Sequence, residues 1–240
     1  MIGLGTIINV AGIIFGGLVG LFCGKQITPQ IQNTLIKANG VCVLFLGIAG
    51  TLEQMITIED GHLFSSGTMM MILSLSIGSL IGEVINLDYR MEQFGQWLKQ
   101  KTGNAKDRMF VDGFVTASLT VCIGAMAVVG ALQDGLSGNY STLLTKSILD
   151  MIIICVMTAS IGKGCIFSAI PVAIFQGSIT LLSRTIEPIM TETALANLSF
   201  VGNMLIFCVG INLIWENTRV KVANMLPAII IAVIWSFLPF

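Results

Sequence analysis

Carboxylates and side-chain amides recur along an otherwise apolar sequence, and they are the residues with which this chain could do chemistry. An ionisable group inside a membrane segment is costly and is by default a candidate for an ion or substrate path, and we consider the amides there with it. The chemistry expected of them is therefore binding and passage of a small ion or solute. The candidates are Asn9, Glu53, Glu83, Asn86, Asp112, Asp134, Asp150 and Asn212.

Glu83 is the strongest single candidate. It follows Gly82 in a row of small residues and precedes Asn86 by three positions, so the two polar side chains share a helix face. With Asp112, at the start of the next apolar segment, they predict a cation-attracting mouth on the inner side. An outer mouth is predicted from Glu53, Asp134 and Asp150.

For each carboxylate the alternative is an ordinary solvated helix end, and this applies equally to Glu216 at the inner end of the seventh segment. The amides have an alternative too, because polar side chains in hydrocarbon usually bond across helices, at about 0.6 kcal/mol each. Asn9 and Asn212 are the amides we expect in a polar path, and Gln176 and Asn203 are further polar residues in the middle of apolar segments.

The composition places these residues in a membrane. Hydrophobic residues make up 55% of the chain, charged residues 10%, and the mean hydropathy is +0.90. Soluble domains carry about 25% charged residues. The apolar runs are about 20 residues long, which suits a hydrocarbon core about 30 Å thick. We therefore predict an all-α, polytopic transmembrane bundle whose main partner is the lipid bilayer, and no basic tract suggests nucleic acid.

The sequence lacks the motifs of soluble catalysis. It has no Walker A, HExxH or GxSxG pattern, no metal-spaced His/Cys set, and a single histidine, His62. No nucleophile and base occur at equivalent depth. We expect no enzymatic activity, no cofactor and no metal site.

Hydropathy divides the chain into about eight segments within one membrane domain, residues 1–240. The spans lie within 1–86 and 109–240, at 2–24, 36–54, 67–86, 109–131, 144–162, 165–183, 197–215 and 223–239. With both termini outside, the inner connections carry Lys25, Lys37, Arg90, Lys99, Lys101, Lys106, Arg108, Lys163, Arg219 and Lys221, and the outer ones carry Lys146 and Arg184. This asymmetry is the positive-inside pattern.

The long connection, residues 87–106, is predicted to be cytoplasmic and to contain an amphipathic helix. Its apolar residues Leu87, Met91, Phe94 and Leu98 follow helical spacing, and Trp97 would lie at headgroup level. The alternative is a solvated connector helix.

A row of small residues marks the first segment and recurs in the third. Rows of this kind permit close backbone contact between helices in lipid. The residues predicted to pack helices are Gly12, Gly16, Gly20, Gly24, Ser74, Gly78 and Gly82. We interpret the recurrence as an internal repeat of two-helix units, and we expect helices one and three to pack against each other or against a symmetry mate.

Three stretches carry a family resemblance: MIGLGTIINVAGIIFGGLVG at the start, GIAGTLEQ, and SIGSLIGE in the third segment. Together they resemble the YdfK/YqgA family of bacterial inner-membrane proteins, also known as domain of unknown function 554. The resemblance runs over nearly the whole chain and implies a small polytopic protein of a kind sometimes labelled a transport protein. It implies no catalytic or ligand-binding residues.

These features lead to one main hypothesis and one alternative. The main hypothesis is a multi-pass transporter or channel of the bacterial inner membrane for a small ion or solute, assembled as a homo-oligomer. The alternative is a non-transporting interaction or regulatory subunit, with the connector helix as its docking element.

Overall fold

The computed structural model describes residues 2–24, 28–59, 61–215 and 219–238. Its regular structure is almost entirely helical, which confirms the predicted all-α class. The helices are α1 (Leu4–Gly24), α2 (Pro29–Met55), α3 (Thr68–Ile85), α4 (Leu87–Lys101), α5 (Phe110–Cys122), α6 (Ala125–Ser137), α7 (Ser141–Ile161), α8 (Ala169–Leu181), α9 (Ser183–Ile186), α10 (Glu192–Ile214), α11 (Val222–Met225) and α12 (Pro227–Trp235). Lys25 and Glu216 lie outside the described residues.

Short elements connect some of the helices. An antiparallel hairpin of β1 (Ile56–Glu59) and β2 (His62–Ser65) separates α2 from α3, and the sequence analysis did not predict it. Two 3₁₀ segments, Lys163–Ser168 and Glu187–Ile189, precede α8 and follow α9.

Within the described residues, six helical segments are long and apolar enough to cross a membrane: Leu4–Gly24, Pro29–Met55, Thr68–Ile85, Ser141–Ile161, Lys163–Leu181 and Glu192–Ile214. The pair α5–α6 makes a seventh if its two bent helices form one span. The eighth predicted segment corresponds to the shorter apolar stretch of α11 and α12. The prediction of a polytopic helical bundle is confirmed.

The fourth predicted segment, 109–131, differs from the expected single helix. Helix α5 ends at Cys122, and α6 continues at an angle of 64°. Gly124 between them has φ 141, a conformation that residues with a Cβ rarely adopt. The predicted segment is therefore interrupted at Gly124, and the last carbonyls of α5 have no partners in a following turn.

The contacts within the chain define two compact units. The first comprises Met1–Asn39, Tyr89–Cys122 and Met126–Glu187, and the second comprises Gly40–Asp88, Ile123–Ala125 and Pro188–Phe240. The predicted single domain and the internal repeat stay predictions.

In the first unit, α1 packs along α7 through its glycines. A Cβ on Gly16 would overlap the carbonyl of Met151, and one on Gly20 would overlap that of Cys155. Gly12 lies against Ser147, whose hydroxyl donates to the Ile8 carbonyl over 3.0 Å, and Gly24 lies against Ala159. The contacts advance together in both helices, so α1 and α7 are parallel. Such an approach of backbones is possible only without side chains.

In the second unit, the small residues of α3 contact α11 and α12. Gly78 lies against Ala228, and Gly82 lies against the carbonyl of Asn224, so α3 and α12 are antiparallel. A buried cluster of Met70, Phe200, Val201, Ala228 and Ala232 forms the core beside them. Each row of glycines is therefore covered inside its own unit, by α7 or by α11–α12. This corrects the expected packing of helices one and three. The row on α1 contacts a parallel helix, whereas the row on α3 contacts an antiparallel one.

The connector contains the predicted helix, α4. Its Leu98 is buried, Phe94 contacts Phe114 of α5 edge-on at 5.8 Å between ring centroids, and Trp97 stacks on Phe94. Part of the apolar face that we assigned to the inner leaflet is thus covered by α5. Trp97 remains 51% exposed.

The glycine contacts generate a prediction on stability. Gly16→Ala places a methyl group against the rigid backbone of α7, and overpacking of this kind destabilises by about 1–3 kcal/mol. The matched control is Gly177→Ala in α8, where nothing lies within 4 Å of the new Cβ. Alanine there should stabilise by about 0.5–1 kcal/mol through helix propensity. The measurement is the free energy of unfolding in micelles, and equal effects of the two substitutions would contradict the packing described.

Candidate functional site

Four buried polar side chains meet inside the first unit, and we call them the polar cluster. They are Asn9 of α1, Lys146 and Asp150 of α7, and Gln176 of α8, with exposures of 0, 6, 3 and 0%. All four belong to helical segments of membrane-spanning length. A buried amine, a carboxylate and two amides therefore lie within the apolar part of one compact unit.

The centre of the polar cluster is an ion pair between residues one turn apart. The Lys146 ammonium donates to both oxygens of Asp150, at 2.8 and 2.7 Å. It also donates to the carbonyl of Val121 over 2.9 Å. That carbonyl belongs to the last turn of α5, where the break in the span leaves it without a helical partner. The three hydrogens of Lys146 are thus all used, and the break supplies one of their acceptors.

The two amides complete the polar cluster. The Asn9 Nδ2 group donates to Asp150 Oδ2 over 3.1 Å and to Gln176 Oε1 over 3.2 Å. These bonds fix the orientation of both amides, because a carboxylate can only accept and a side-chain NH₂ can only donate. They leave Asn9 Oδ1 and Gln176 Nε2 buried without a hydrogen-bond partner. One free acceptor and one free donor therefore remain in the polar cluster.

The polar cluster is electrically neutral, since one ammonium faces one carboxylate. Bonding to both carboxylate oxygens neutralises Lys146 within the apolar surroundings. Among the described residues no group of three or more His, Cys, Asp or Glu side chains could hold a metal ion. What the polar cluster can do chemically is exchange hydrogen bonds with a molecule that reaches its two free amide atoms.

Further polar contacts continue between α1 and α8. The hydroxyls of Thr6 and Thr180 lie 3.4 Å apart, and Thr180 also donates to the Ala131 carbonyl over 3.1 Å. Thr6 is three residues before Asn9, and Thr180 is four residues after Gln176, so each lies one turn from the polar cluster. A row of polar groups thus runs along the contact between these helices.

Asp134 of α6 holds the beginning of α1. Its two oxygens accept from the backbone N–H groups of Gly3 and Gly5 at 3.2 and 3.0 Å. A carboxylate at this position satisfies free N–H groups of the first turn and faces the positive end of the helix dipole. Asp134 therefore fixes the position of the helix that carries Asn9.

Glu83 and Asn86, the inner-side candidates of the second unit, have other partners. The Glu83 carboxylate, which is 57% exposed, accepts from Lys221 and from Asn224, each at 2.6 Å. The hydrogen bond that Lys221 donates to this carboxylate raises the pKa of its ammonium above the usual value. Asn86 follows the last residue of α3 and has the left-handed conformation, φ 54. Its backbone N–H donates to the carbonyls of Glu83 and Gly82.

The remaining candidates lie on helices outside the polar cluster. Asp112 is exposed and lines an open cavity of about 450 Å³ in the first unit, beside Lys99 and Arg108. Glu53 is exposed on α2 in the second unit. Asn212, near the end of α10, accepts from the N–H of Val220 and donates to its carbonyl, both at 2.8 Å.

The structure thus brings together Asn9 and Asp150 and adds two residues that the sequence analysis did not choose. Gln176 was noted only as a central polar residue, and Lys146 was placed in an outer connection. That placement of Lys146 is wrong, because the residue lies inside α7 and is buried. The available signal was the four-residue spacing of Lys146 and Asp150 within an apolar run, which brings opposite charges together on one helix face.

Two known proteins are similar in sequence to this chain over nearly its whole length. The chain is 30% identical to "Uncharacterized membrane protein YdfK" of Bacillus subtilis (strain 168), over 95% of this chain and 93% of that protein. It is 24% identical to "Uncharacterized protein YqgA" of Escherichia coli (strain K12), over 95% of this chain and 94% of that protein. No solved structure matches significantly. The profile of the family described as "Protein of unknown function (DUF554)" matches residues 4–237, and the chain therefore belongs to the DUF554 family.

Proposed function

We propose that this membrane protein is a transporter or channel that moves a small ion or solute past the polar cluster. The observation that carries the proposal is the buried Lys146–Asp150 pair of α7, with two amides around it and a bond to the carbonyl of Val121 beside the break between α5 and α6. An ionisable pair placed in apolar helices is expensive to maintain and is by default a functional group.

The break between α5 and α6 supports the same proposal. In membrane transporters, binding sites are typically formed at discontinuous helices, whose free backbone groups contact the substrate or the groups that hold it. Irregular backbone at membrane depth is tolerated where it is buried in protein or lines a water-filled cavity. Here the freed carbonyl of Val121 binds Lys146, so the break and the polar cluster are parts of one arrangement.

A purely structural role for the polar cluster is the main competitor. Replacement of a buried ion pair by apolar residues is often neutral or stabilising, so stability alone does not explain the presence of the pair. The interaction-subunit alternative makes a different expectation, in which the exposed part of α4 contacts a partner and the polar cluster carries nothing. We expect no enzymatic step, since Lys146 donates all three of its hydrogens and offers no lone pair as a base or nucleophile.

The proposal includes a location and an assembly. We place the protein in the bacterial inner membrane, with both termini outside and with the loops rich in Lys and Arg in the cytoplasm. The relatives from two bacteria, one of them described as a membrane protein, support this location. We also propose a homo-oligomer, with exposed apolar side chains available for contact between copies, among them Phe15, Leu18 and Phe22 of α1.

The proposed orientation predicts the behaviour of reporter fusions. Alkaline phosphatase fused after Leu238 should be active, because this enzyme folds only outside the cytoplasm. The same reporter fused after Gly103, in the connection that follows α4, should be inactive, and green fluorescent protein should give the opposite pattern at both positions. Equal activity at the two positions, or the reversed pattern, would contradict the orientation.

The main test separates the transport role of the ion pair from its structural role. Asp150→Asn leaves the Lys146 charge buried without its counter-ion and should reduce the free energy of unfolding by about 3–5 kcal/mol. The double variant Lys146→Met with Asp150→Asn removes both charges, and it should recover most of that stability. In proteoliposomes, the double variant should nevertheless lose the flux that the parent protein shows within a panel of ions and neutral solutes.

Glu192→Gln, an exposed carboxylate in the first turn of α10, is the matched control and should keep both stability and flux. Flux at the level of protein-free liposomes for every member of the panel would contradict the proposed function. A double variant that is stable and transports normally would assign the ion pair to structure alone.

A further inference from the structure

We propose that the polar cluster binds a small uncharged solute that carries both a hydrogen-bond donor and an acceptor, of the primary amide or alcohol class. The inference rests on the proposed function in taking the polar cluster as the substrate site, and it names the class of substrate. It is carried by the two buried amide atoms that the protein leaves unpaired.

The two unpaired amide atoms differ in hydrogen-bonding type. Asn9 Oδ1 is an acceptor and Gln176 Nε2 is a donor, and both are buried without a partner. A buried polar atom without a hydrogen bond costs about 1–3 kcal/mol, so native proteins satisfy such atoms with protein, water or ligand. A ligand that satisfies both must donate to the oxygen of Asn9 and accept from the nitrogen of Gln176.

The free groups of the polar cluster do not favour a charged ligand. A cation would be attracted by Asp150, but the Lys146 ammonium already bonds both of its oxygens. An anion would need Lys146, whose hydrogens are all occupied by Asp150 and Val121. The groups that remain free are uncharged, and an uncharged ligand suits them.

The groups around the two free amide atoms offer further contacts to a ligand. The two free atoms belong to amides that are joined by one hydrogen bond, Asn9 Nδ2 to Gln176 Oε1 at 3.2 Å. A ligand that satisfies both has to reach one free atom on each of these two bonded amides. The hydroxyl oxygens of Thr6 and Thr180 lie one turn away along the same helices and offer the next acceptors.

The test on the parent protein uses acetamide as the probe and N,N-dimethylacetamide as its control. Both have the carbonyl that Gln176 Nε2 would bind, but only acetamide has the N–H that Asn9 Oδ1 requires. Saturation-transfer NMR on the purified protein in nanodiscs should show saturable binding of acetamide. The control should bind about tenfold more weakly, since one buried acceptor stays unpaired. Equal binding of the two probes, or none, would overturn the inference and leave water as the occupant.

A pair of variants locates the binding. Gln176→Met keeps the volume of the side chain and removes the free donor, so the acetamide signal should fall about tenfold. Gln133→Met is the matched control. Gln133 accepts a hydrogen bond from Thr142 at 2.7 Å in the same unit and is outside the polar cluster, so this variant should bind acetamide as the parent does. Loss of binding in both variants, or in neither, would contradict the site.

The inferred ligand class and the proposed transport function can be contradicted independently of each other. Acetamide binding without acetamide flux in proteoliposomes would support the site and contradict the transport function. Flux of potassium or chloride without acetamide binding would support transport and overturn the class of ligand inferred here.

Discussion

The structure of the first unit depends on how one ammonium and one carboxylate are accommodated among apolar helices. Lys146 and Asp150 neutralise each other within a single turn of α7, yet the pair has more hydrogen-bonding capacity than one helix can satisfy. The excess goes to a carbonyl at the end of α5 and to the amide of Asn9, which in turn bonds Gln176 of α8. Four helical segments are therefore held by one buried network, and the break after Cys122 frees the carbonyl that Lys146 binds.

The glycines of α1 bring this network within reach. Asn9 can reach Asp150 only if α1 approaches α7 closely, and Gly12 and Gly16, one and two turns away, allow the two backbones to meet. Asp134 fixes the start of the same helix through Gly3 and Gly5. Association through backbone contact is the usual solution in lipid, where the hydrophobic effect does not draw helices together. The row of small residues thus positions chemistry without taking part in it. In the second unit, α3 carries a similar row of small residues, which contacts α11 and α12 in an antiparallel arrangement. Asn224 of α11 also donates a hydrogen bond to Glu83.

Much of the fold was predictable because the hydropathy and the length of each segment are properties of a short stretch of sequence. The apolar runs, the helix in the connector and the close packing of Gly16 and Gly20 are local properties of the sequence. The partners of the glycines are not, since a row of small residues accepts any helix that comes near. The break at Gly124 was missed because an isolated glycine is common in membrane helices and only its φ of 141 shows its role. Lys146 was missed because its position near the start of a run resembles an interfacial charge, and its burial depends on helices far away in sequence.

The central claim is that the polar cluster borders a path open to water-soluble molecules, and cysteine accessibility tests it most directly. In a variant whose six native cysteines are replaced, Gln176→Cys and Ile174→Cys are compared for reaction with a charged methanethiosulfonate reagent. Only a thiolate reacts, and it forms in water and not among acyl chains. The account predicts that Gln176→Cys reacts although Gln176 is fully buried, whereas Ile174→Cys, at a position 64% exposed on the lipid side of α8, does not. An inert Gln176→Cys, with Ile174→Cys equally inert or faster, would contradict it.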